Sequence, residues 1–121
     1  MQTDTGSSPT ALTLLSEEEV MFRDAVAGFA EEEVRPRVAE MEKAGRIDPA
    51  LLPRYFELGL MGIAIPEQWG GSGAGAVAYV VALEEIARAC ASHAVVMSVN
   101  NSLYGDPLAR FGTDAQREQF L

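Results

Sequence analysis

Few residues of this 121-residue chain are able to do chemistry, and their spacing argues against catalysis by the chain itself. Ser98 and Ser102 lie four residues apart and share a helix face, but no histidine is placed to activate either as a nucleophile. Glu84 and Glu85 are adjacent, and neighbouring helical residues point about 100° apart, so the two carboxylates cannot act on one substrate. We expect one of them to pair with Arg88 at the surface. The sequence therefore predicts no catalytic residue.

Two patterns that resemble metal or cofactor sites lack the context that such sites need. His93 is the only histidine, and no Cys, Asp or Glu stands near it at the spacing of metal ligands. We predict no metal site and expect His93 to cap a helix. The stretch Gly71–Ala76 matches the glycine spacing of a dinucleotide-binding turn, but Pro66 and Trp69 precede it where that turn requires a buried strand. We interpret it as a glycine-rich turn between helices and predict no cofactor-binding residue.

The stretch 95–104 has a surface suited to binding an apolar group rather than to moving protons. Four apolar residues fall on one face of a helix there: Val95, Val96, Val99 and Leu103. Asn100 and Asn101 are costly to bury without partners, so we expect them to form hydrogen bonds with a turn, a ligand or another domain. This face should hold an apolar ligand or a neighbouring domain.

The composition is that of a folded, acidic protein. Apolar residues make up 48% of the chain and charged residues 22%, and the length suits one domain with a single core. The 18 acidic residues against 9 basic ones give a net charge of -9, which repels phosphate backbones and anionic membranes. We expect no nucleic-acid and no membrane partner. Most of the acidic residues in the first third of the chain are interpreted as a solvated helix face.

Targeting and redox signals favour a cytoplasmic protein. Cys90 is the only cysteine, so no internal disulfide is expected, and its position among alanines is typical of a buried thiol in a reducing compartment. The first residues lack the basic start and the apolar run of a secretory signal. Neither apolar stretch reaches about 18 residues without charged or polar groups, as a membrane span requires.

The spacing of apolar residues predicts an all-α fold, an orthogonal or up-down bundle of about five helices. Residues 1–13 are expected to be a disordered tail, and residues 14–121 the folded domain. The predicted helices are 16–43, 49–58, 76–91, 93–111 and 114–121, joined by a glycine-rich loop in which 61–65 is expected to be briefly extended. The helix 93–111 carries no ionised group before Asp106, so we expect it to be the most buried element.

Local signals predict where several helices begin and end. Ser16 with Glu19, and Thr113 with Gln116, form the capping-box pattern in which side chains satisfy the first free amides of a helix. Pro36 must bend the first helix or end it one residue earlier.

Two further prolines complicate the predicted boundaries. Pro53 lies inside the second helix, so its start is expected closer to Ala50 or Leu52 than to Pro49. Pro107 follows Asp106 and is expected to kink the fourth helix.

Taken together, these residues resemble the amino-terminal helical domain of the flavin-dependent acyl-CoA dehydrogenases over nearly all of 14–121. The segments that carry the resemblance, in chain order, are Leu15–Glu19, Leu58–Ile63 with Ile65–Gly71, Leu83–Arg88, Asn101–Leu103 and Phe111–Thr113 with Gln116. The stretch 98–104 is most similar to the short-chain, butyryl-CoA type.

The resemblance implies a substrate site and a larger enzyme. It implies that Val95, Val96, Val99, Asn100 and Leu103 line the fatty-acyl end of the pocket, which the β-branched valines would make shallow. It also implies an acyl-CoA substrate, FAD, electron-transferring flavoprotein as the electron acceptor, and a homotetramer or dimer. The middle β-domain and the carboxy-terminal helical domain of the family are absent from these residues. Because the family's catalytic glutamate and flavin contacts lie there, we expect the 121 residues alone to be inactive in α,β-dehydrogenation.

An alternative from another functional class stays open at this point. The same apolar face would suit a stand-alone helical module that binds another protein and has no catalytic activity. Both hypotheses predict an apolar patch on the fourth helix that needs a cover. A stop codon directly after Leu121 in the natural gene would favour the module.

Overall fold

The computed structural model describes residues 14–121, and over this range the protein is all-α, as predicted. The tail predicted at 1–13 lies outside the described residues. The α-helices are α1 (Glu17–Phe29), α2 (Val38–Ala44), α3 (Leu51–Glu57), α4 (Gly75–Ala89), α5 (Ala91–Ser98), α6 (Asp106–Phe111) and α7 (Asp114–Phe120). Two π turns, Ala30–Val34 and Val99–Gly105, and three 3-10 turns, Arg35–Arg37, Leu60–Gly62 and Glu67–Trp69, complete the described helical structure. Because α1 runs continuously into α2, and α5 into α6, these segments form the five helical stretches that the sequence predicts.

The two long stretches accommodate a proline by changing their winding. The π turn Ala30–Val34 is followed by the 3-10 turn in which Pro36 is the second residue, and α2 continues from there. The π turn Val99–Gly105 leads into α6, where Pro107 is again the second residue. Proline lacks an N–H group, so a carbonyl of the preceding turn receives no backbone hydrogen bond from it, and a change of winding is one way to accommodate this loss. The sequence predicts a bend or break at Pro36 and a kink at Pro107. At both prolines the structure shows a change of helical winding, with a π turn just before the proline-containing turn.

Both predicted capping boxes are present. The Ser16 N–H donates to the Glu19 carboxylate at 2.8 Å, and the Glu19 N–H donates to the Ser16 hydroxyl at 3.2 Å. At the start of α7 the Thr113 N–H donates to the Gln116 side-chain oxygen at 2.9 Å, and the Gln116 N–H donates to the Thr113 hydroxyl at 3.2 Å. Each box satisfies amides that the first helical turn leaves without a partner, which fixes where its helix begins.

The start of α3 confirms the boundary shifted away from Pro49. The Asp48 side chain accepts the Ala50 N–H at 2.9 Å, and α3 begins at Leu51. Pro53 thus falls in the first helical turn, where its missing N–H leaves no hydrogen bond unmade. The helix ends just before Gly59, whose φ of 71° lies in the left-handed region, as the sequence predicts.

The hydrophobic core lies where α4 packs between α1 and α5 and where the 3-10 turn Leu60–Gly62 with the adjoining Ile63, called the 60–63 turn below, closes against the π turn Val99–Gly105. The largest fully buried side chains are Val34, Leu51, Leu60, Ile63, Ile86 and Met97. Full burial of a side chain of this size stabilises the fold by about 1.5 to 3 kcal/mol. Among the helices of residues 14–121, none combines the length and the apolar composition needed to cross a lipid bilayer.

The expectation that 61–65 is briefly extended is wrong. Leu60–Gly62 forms a 3-10 turn, and the following residues bend so that Ile63 and Ile65 are buried. The carbonyls of Gly62, Ile63 and Ile65 accept hydrogen bonds of 2.8 to 2.9 Å from the N–H groups of residues 72–74 in the glycine-rich loop. A loop that bonds to its neighbour in this irregular way buries apolar residues without an extended segment.

The expectation that the fourth helix is the most buried element is also wrong. Its buried face consists of small and polar residues beside Met97, while several valines and a leucine point outward. The buried residues of α4 are Ala78, Val81, Ala82, Ile86 and Ala89. A stretch without ionised groups is not necessarily buried, because an apolar residue is also tolerated at the surface.

His93 does not cap α5, contrary to the prediction. Its side chain is 3% exposed, its ring stacks on Tyr55 with a centroid distance of 5.3 Å, and Nε2 lies 3.1 Å from the Met41 sulfur. Burial lowers the pKa of His93 below its ordinary value, against the opposing influence of Asp48. No local pattern indicates this environment, because the contacting residues lie 38 and 52 positions away in the chain.

The acidic residues form surface ion pairs as well as a solvated face. Glu85 pairs with Arg88 at 3.3 Å, which confirms the pairing expected for one of the two adjacent glutamates. Glu33 on the first helical stretch binds Arg54 of α3 at 3.0 Å, and this bond lowers the pKa of Glu33. Cys90, expected to be buried, is half-buried between α4 and α5.

The buried histidine predicts a pH dependence of stability. The unfolded chain protonates His93 at its ordinary pKa of 6.5, whereas the folded chain does so only at lower pH. The unfolded state therefore binds more protons below that value, and the free energy of unfolding should fall as the pH drops from about 8 to about 5.5. Urea unfolding at both pH values measures the loss. The His93→Phe variant keeps a ring against Tyr55 but has no titrating group, so it should lose less stability over the interval; an equal loss in both proteins would contradict the prediction.

Candidate functional site

Three of the five predicted site residues form one outward-facing apolar stripe. Val95, Val99 and Leu103 are 60%, 45% and 71% exposed, and successive members lie four residues apart. We call these three residues the apolar stripe. Side chains of this kind, side by side and open to solvent, form a surface that an apolar ligand or a neighbouring domain is able to cover.

The other two predicted residues flank the stripe instead of joining it. Val96 is half-buried and packs against the hydrophobic core. The Asn100 amide donates to the Met61 carbonyl at 2.7 Å, and Asn100 lines a cavity of about 410 Å³ together with aromatic residues such as Trp69 and Tyr104. The five residues thus lie on one helical stretch but have different surroundings. Three form the exposed stripe, Val96 packs against the core, and Asn100 bonds to the 60–63 turn.

Asn101, which the sequence singled out only for its need of partners, is the most completely bonded side chain near the stripe. Its Oδ1 accepts the Ile63 N–H at 2.8 Å. Its Nδ2 donates to the carbonyls of Leu60 at 2.8 Å and Met97 at 2.9 Å. Of the partners that the sequence allowed, a turn, a ligand or another domain, the structure identifies the turn for both asparagines.

The hydroxyl groups beside the stripe hold the helices together. The Tyr79 hydroxyl of α4 donates to the Ser98 hydroxyl at 2.9 Å, and the Ser102 hydroxyl donates to the Ser98 carbonyl at 2.7 Å. His93 lies on the opposite, buried face with Nε2 directed at a sulfur. Neither serine has a base beside it, so this arrangement offers no activated nucleophile.

The glycine-rich turn commits several of its amides to the backbone. The N–H groups of Ser72, Gly73 and Ala74 donate to the carbonyls of Gly62, Ile65 and Ile63, respectively, at 2.8 to 2.9 Å. A dinucleotide-binding turn needs such amides directed at the pyrophosphate. This hydrogen bonding supports the interpretation of the segment as an interhelical turn.

The remaining concave surfaces carry no cluster of ligating groups. A groove of about 660 Å³ lies between the start of α1 and α4, and its lining includes Val77, Val80 and Glu84. Over residues 14–121, His, Cys, Asp and Glu side chains form no group of three placed to hold a metal ion. What the described residues offer is a surface for contact with an apolar group.

Comparisons with known proteins identify close relatives for nearly the whole chain. The family model for the acyl-CoA dehydrogenase N-terminal domain matches residues 16–121. The short-chain specific acyl-CoA dehydrogenase of Bos taurus mitochondria is 44% identical over 107 residues, which are 88% of this chain and 26% of that protein.

Two solved structures share the fold. Butyryl-CoA dehydrogenase from Megasphaera elsdenii matches with a TM-score of 0.80 and 33% identity, over 89% of this chain and 29% of that one. A chain from structural work on the electron transferring flavoprotein of Acidaminococcus fermentans matches with a TM-score of 0.85 and 35% identity, over 90% of this chain and 29% of that one. The chain thus spans between 26% and 29% of the length of these relatives.

The exposed stripe predicts dye binding by the 121-residue chain. Replacing Leu103 by Ser removes apolar area from the stripe, so affinity for a neutral hydrophobic dye such as Nile red should fall several-fold, as expected for about 1 kcal/mol of lost contact. Fluorescence titration measures this affinity. Met21→Ser provides the control, because Met21 is 72% exposed but lies on α1, away from the stripe. Equal weakening in both variants would show that the dye does not prefer the stripe.

Proposed function

The chain belongs to the acyl-CoA dehydrogenase family, and on this premise we propose that it is the amino-terminal domain of a flavin-dependent enzyme that dehydrogenates short-chain acyl-CoA thioesters between the α and β carbons. In this proposal Val95, Val96, Val99, Asn100 and Leu103 line the end of the pocket that receives the acyl chain. The observation that carries the proposal is that the apolar stripe stays exposed after the chain has buried its own core. A stand-alone interaction module would present the same stripe, but the family match supports the enzyme domain.

In this proposal the five lining residues bind the acyl chain and exclude water from it. The stripe offers methyl groups and no charge, so it contacts the methylene groups of an acyl chain, each of which contributes about 0.8 kcal/mol when buried. Val95 and Val99 are branched at Cβ and fill the space close to the helix. A wall built in this way leaves a shallow cavity, which suits short acyl chains, and relatives named for short-chain and butyryl substrates support this choice.

The proposal assigns the reactive groups to polypeptide outside these 121 residues. We propose FAD as the cofactor, held by a β-domain and a second helical domain, and the commitment of the Ser72, Gly73 and Ala74 amides to backbone carbonyls supports this placement. The catalytic base belongs to the same outside region. We further propose that electron-transferring flavoprotein accepts the electrons and that the enzyme is a homotetramer or dimer. The proposed location is the cytoplasm, whereas the Bos taurus relative is named as mitochondrial.

Expression of the complete reading frame tests the proposed function. The purified protein should be yellow and should oxidise butyryl-CoA with an artificial electron acceptor, whereas the 121 residues alone should be colourless and inactive. An intact protein that binds no flavin, or a reading frame that stops directly after Leu121, would overturn the proposal and favour the interaction module.

Truncation of one stripe residue should alter acyl-chain preference. In the intact enzyme, Val99→Ala removes two methyl groups from the wall and deepens the cavity, so kcat/KM should shift toward longer acyl-CoA substrates by about 5- to 150-fold, equivalent to ~1 to 3 kcal/mol. Steady-state kinetics with substrates from butyryl-CoA to octanoyl-CoA give the profile. Val80→Ala makes the same change at an exposed valine of α4 and should leave the profile unaltered. An unchanged profile for Val99→Ala would remove Val99 from the pocket lining.

A further inference from the structure

The apolar stripe extends into a part of the helix that a buried side chain, Asn101, ties to the 60–63 turn. We infer that Asn101 is a positioning residue: its amide fixes the π turn Val99–Gly105 against the 60–63 turn and thereby sets how far Val99 and Leu103 reach into the acyl pocket. This inference rests on the proposed function and adds a determinant of chain-length specificity that does not itself touch the substrate. Asn101 is buried and is not one of the five proposed lining residues.

The hydrogen bonds at the start of the π turn indicate how the helix opens. In an α-helix the carbonyls of Met97 and Ser98 accept the N–H groups of the residues four positions later, Asn101 and Ser102. Here the same two carbonyls accept hydrogen bonds from the side chains of Asn101, at 2.9 Å, and Ser102, at 2.7 Å. Because side chains satisfy these carbonyls, the backbone is able to widen into the π turn that follows without leaving buried acceptors unpaired.

The widened turn decides the direction of the stripe. In a regular α-helix a residue is rotated by about 40° from the one four positions before it, so a stripe with this spacing drifts around the helix. A π turn, closed by bonds between residues five apart, contains more residues per turn, so the angle between residues four apart differs from that of an α-helix. The winding of Val99–Gly105 therefore sets the angle between the exposed side chains of Val99 and Leu103.

The far end of the π turn is fixed by close packing. A Cβ atom added at Gly105 would lie 2.8 Å from Ile65 Cδ1 and 3.1 Å from the Asn100 carbonyl oxygen. Gly105 thus leaves room for the Ile65 side chain to pack directly against the helix. The turn is held by the Asn101 amide at one end and by this contact at the other, so its position does not adjust freely.

The position requires an amide rather than another small polar group. Asn101 accepts one hydrogen bond from Ile63 and donates two, to Leu60 and Met97. An aspartate of the same shape keeps the accepted bond but places a carboxylate oxygen against two carbonyl oxygens. With the Ile63 N–H as its one remaining donor and two carbonyl oxygens against it, that buried carboxylate is strongly disfavoured, so the Asn101→Asp change should push the π turn away from the 60–63 turn.

The test compares chain-length preference with stability in the intact enzyme. For Asn101→Asp, the ratio of kcat/KM for octanoyl-CoA to that for butyryl-CoA should rise at least about 5-fold, because a displaced wall admits longer chains. Ile86→Val provides the control, since Ile86 is equally buried, in α4, and its truncation lowers Tm without touching the π turn. If Asn101→Asp lowers Tm but leaves the octanoyl-CoA to butyryl-CoA ratio unchanged, Asn101 has only a structural role and the inference is overturned.

A double-mutant cycle adds a readout that general destabilisation does not produce. If Asn101 acts through the stripe, Asn101→Asp should change the substrate ratio far less in a protein that already carries Val99→Ala and Leu103→Ala. Full additivity of the effects would overturn the inference.

If Asn101→Asp does not fold, Gly105→Ala displaces the same turn from its other end, and it should raise the ratio in the same direction; an unchanged ratio again overturns the inference.

The outcomes also separate this inference from the proposed function. An intact protein without flavin or acyl-CoA oxidation overturns both. If Val99→Ala shifts the chain-length profile while neither Asn101→Asp nor Gly105→Ala does, the pocket assignment stands and the positioning role of Asn101 is wrong.

Discussion

The buried amide of Asn101 imposes the constraint on which the candidate site depends. A primary amide that leaves water must replace its hydrogen bonds, and an unpaired one costs about 1 to 3 kcal/mol. Asn101 replaces them with one amide and two carbonyls, two of which belong to residues about 40 positions earlier in the chain. A helix without charges and a loop rich in glycine are thereby held in one geometry. Apolar packing alone does not specify such a geometry, because it has no direction.

Features that depend on neighbours in sequence were predictable from the sequence. The capping boxes at Ser16 and Thr113 need residues only three positions apart, and both are present. The shifted start of α3 follows from the chemistry of Pro53 alone. The two π turns were not predicted, since a proline requires some adjustment but does not specify whether the helix breaks, bends or changes its winding.

The candidate site was predicted less completely, because periodicity identifies a face and not what covers it. Val95, Val99 and Leu103 share a face by spacing alone, yet the opposite face is also free of charge and carries Ala94 and Met97. Nothing in the pattern distinguishes the inner face from the outer one. The distinction comes from contacts with α4 and the 60–63 turn, which lie far away in sequence, and the same distance explains why the surroundings of His93 were missed.

The distribution of charge limits which part of an acyl-CoA this chain is able to bind. Between Arg88 and Asp106 no residue carries a permanent charge, and the apolar stripe lies within this interval. The coenzyme portion of the substrate bears several phosphate charges, and a chain with a net charge of -9 repels them at long range. The neutral interval therefore suits the acyl chain alone. Under the proposed function the domain contributes the apolar end of the pocket, and this interval offers no cationic group to hold the phosphates.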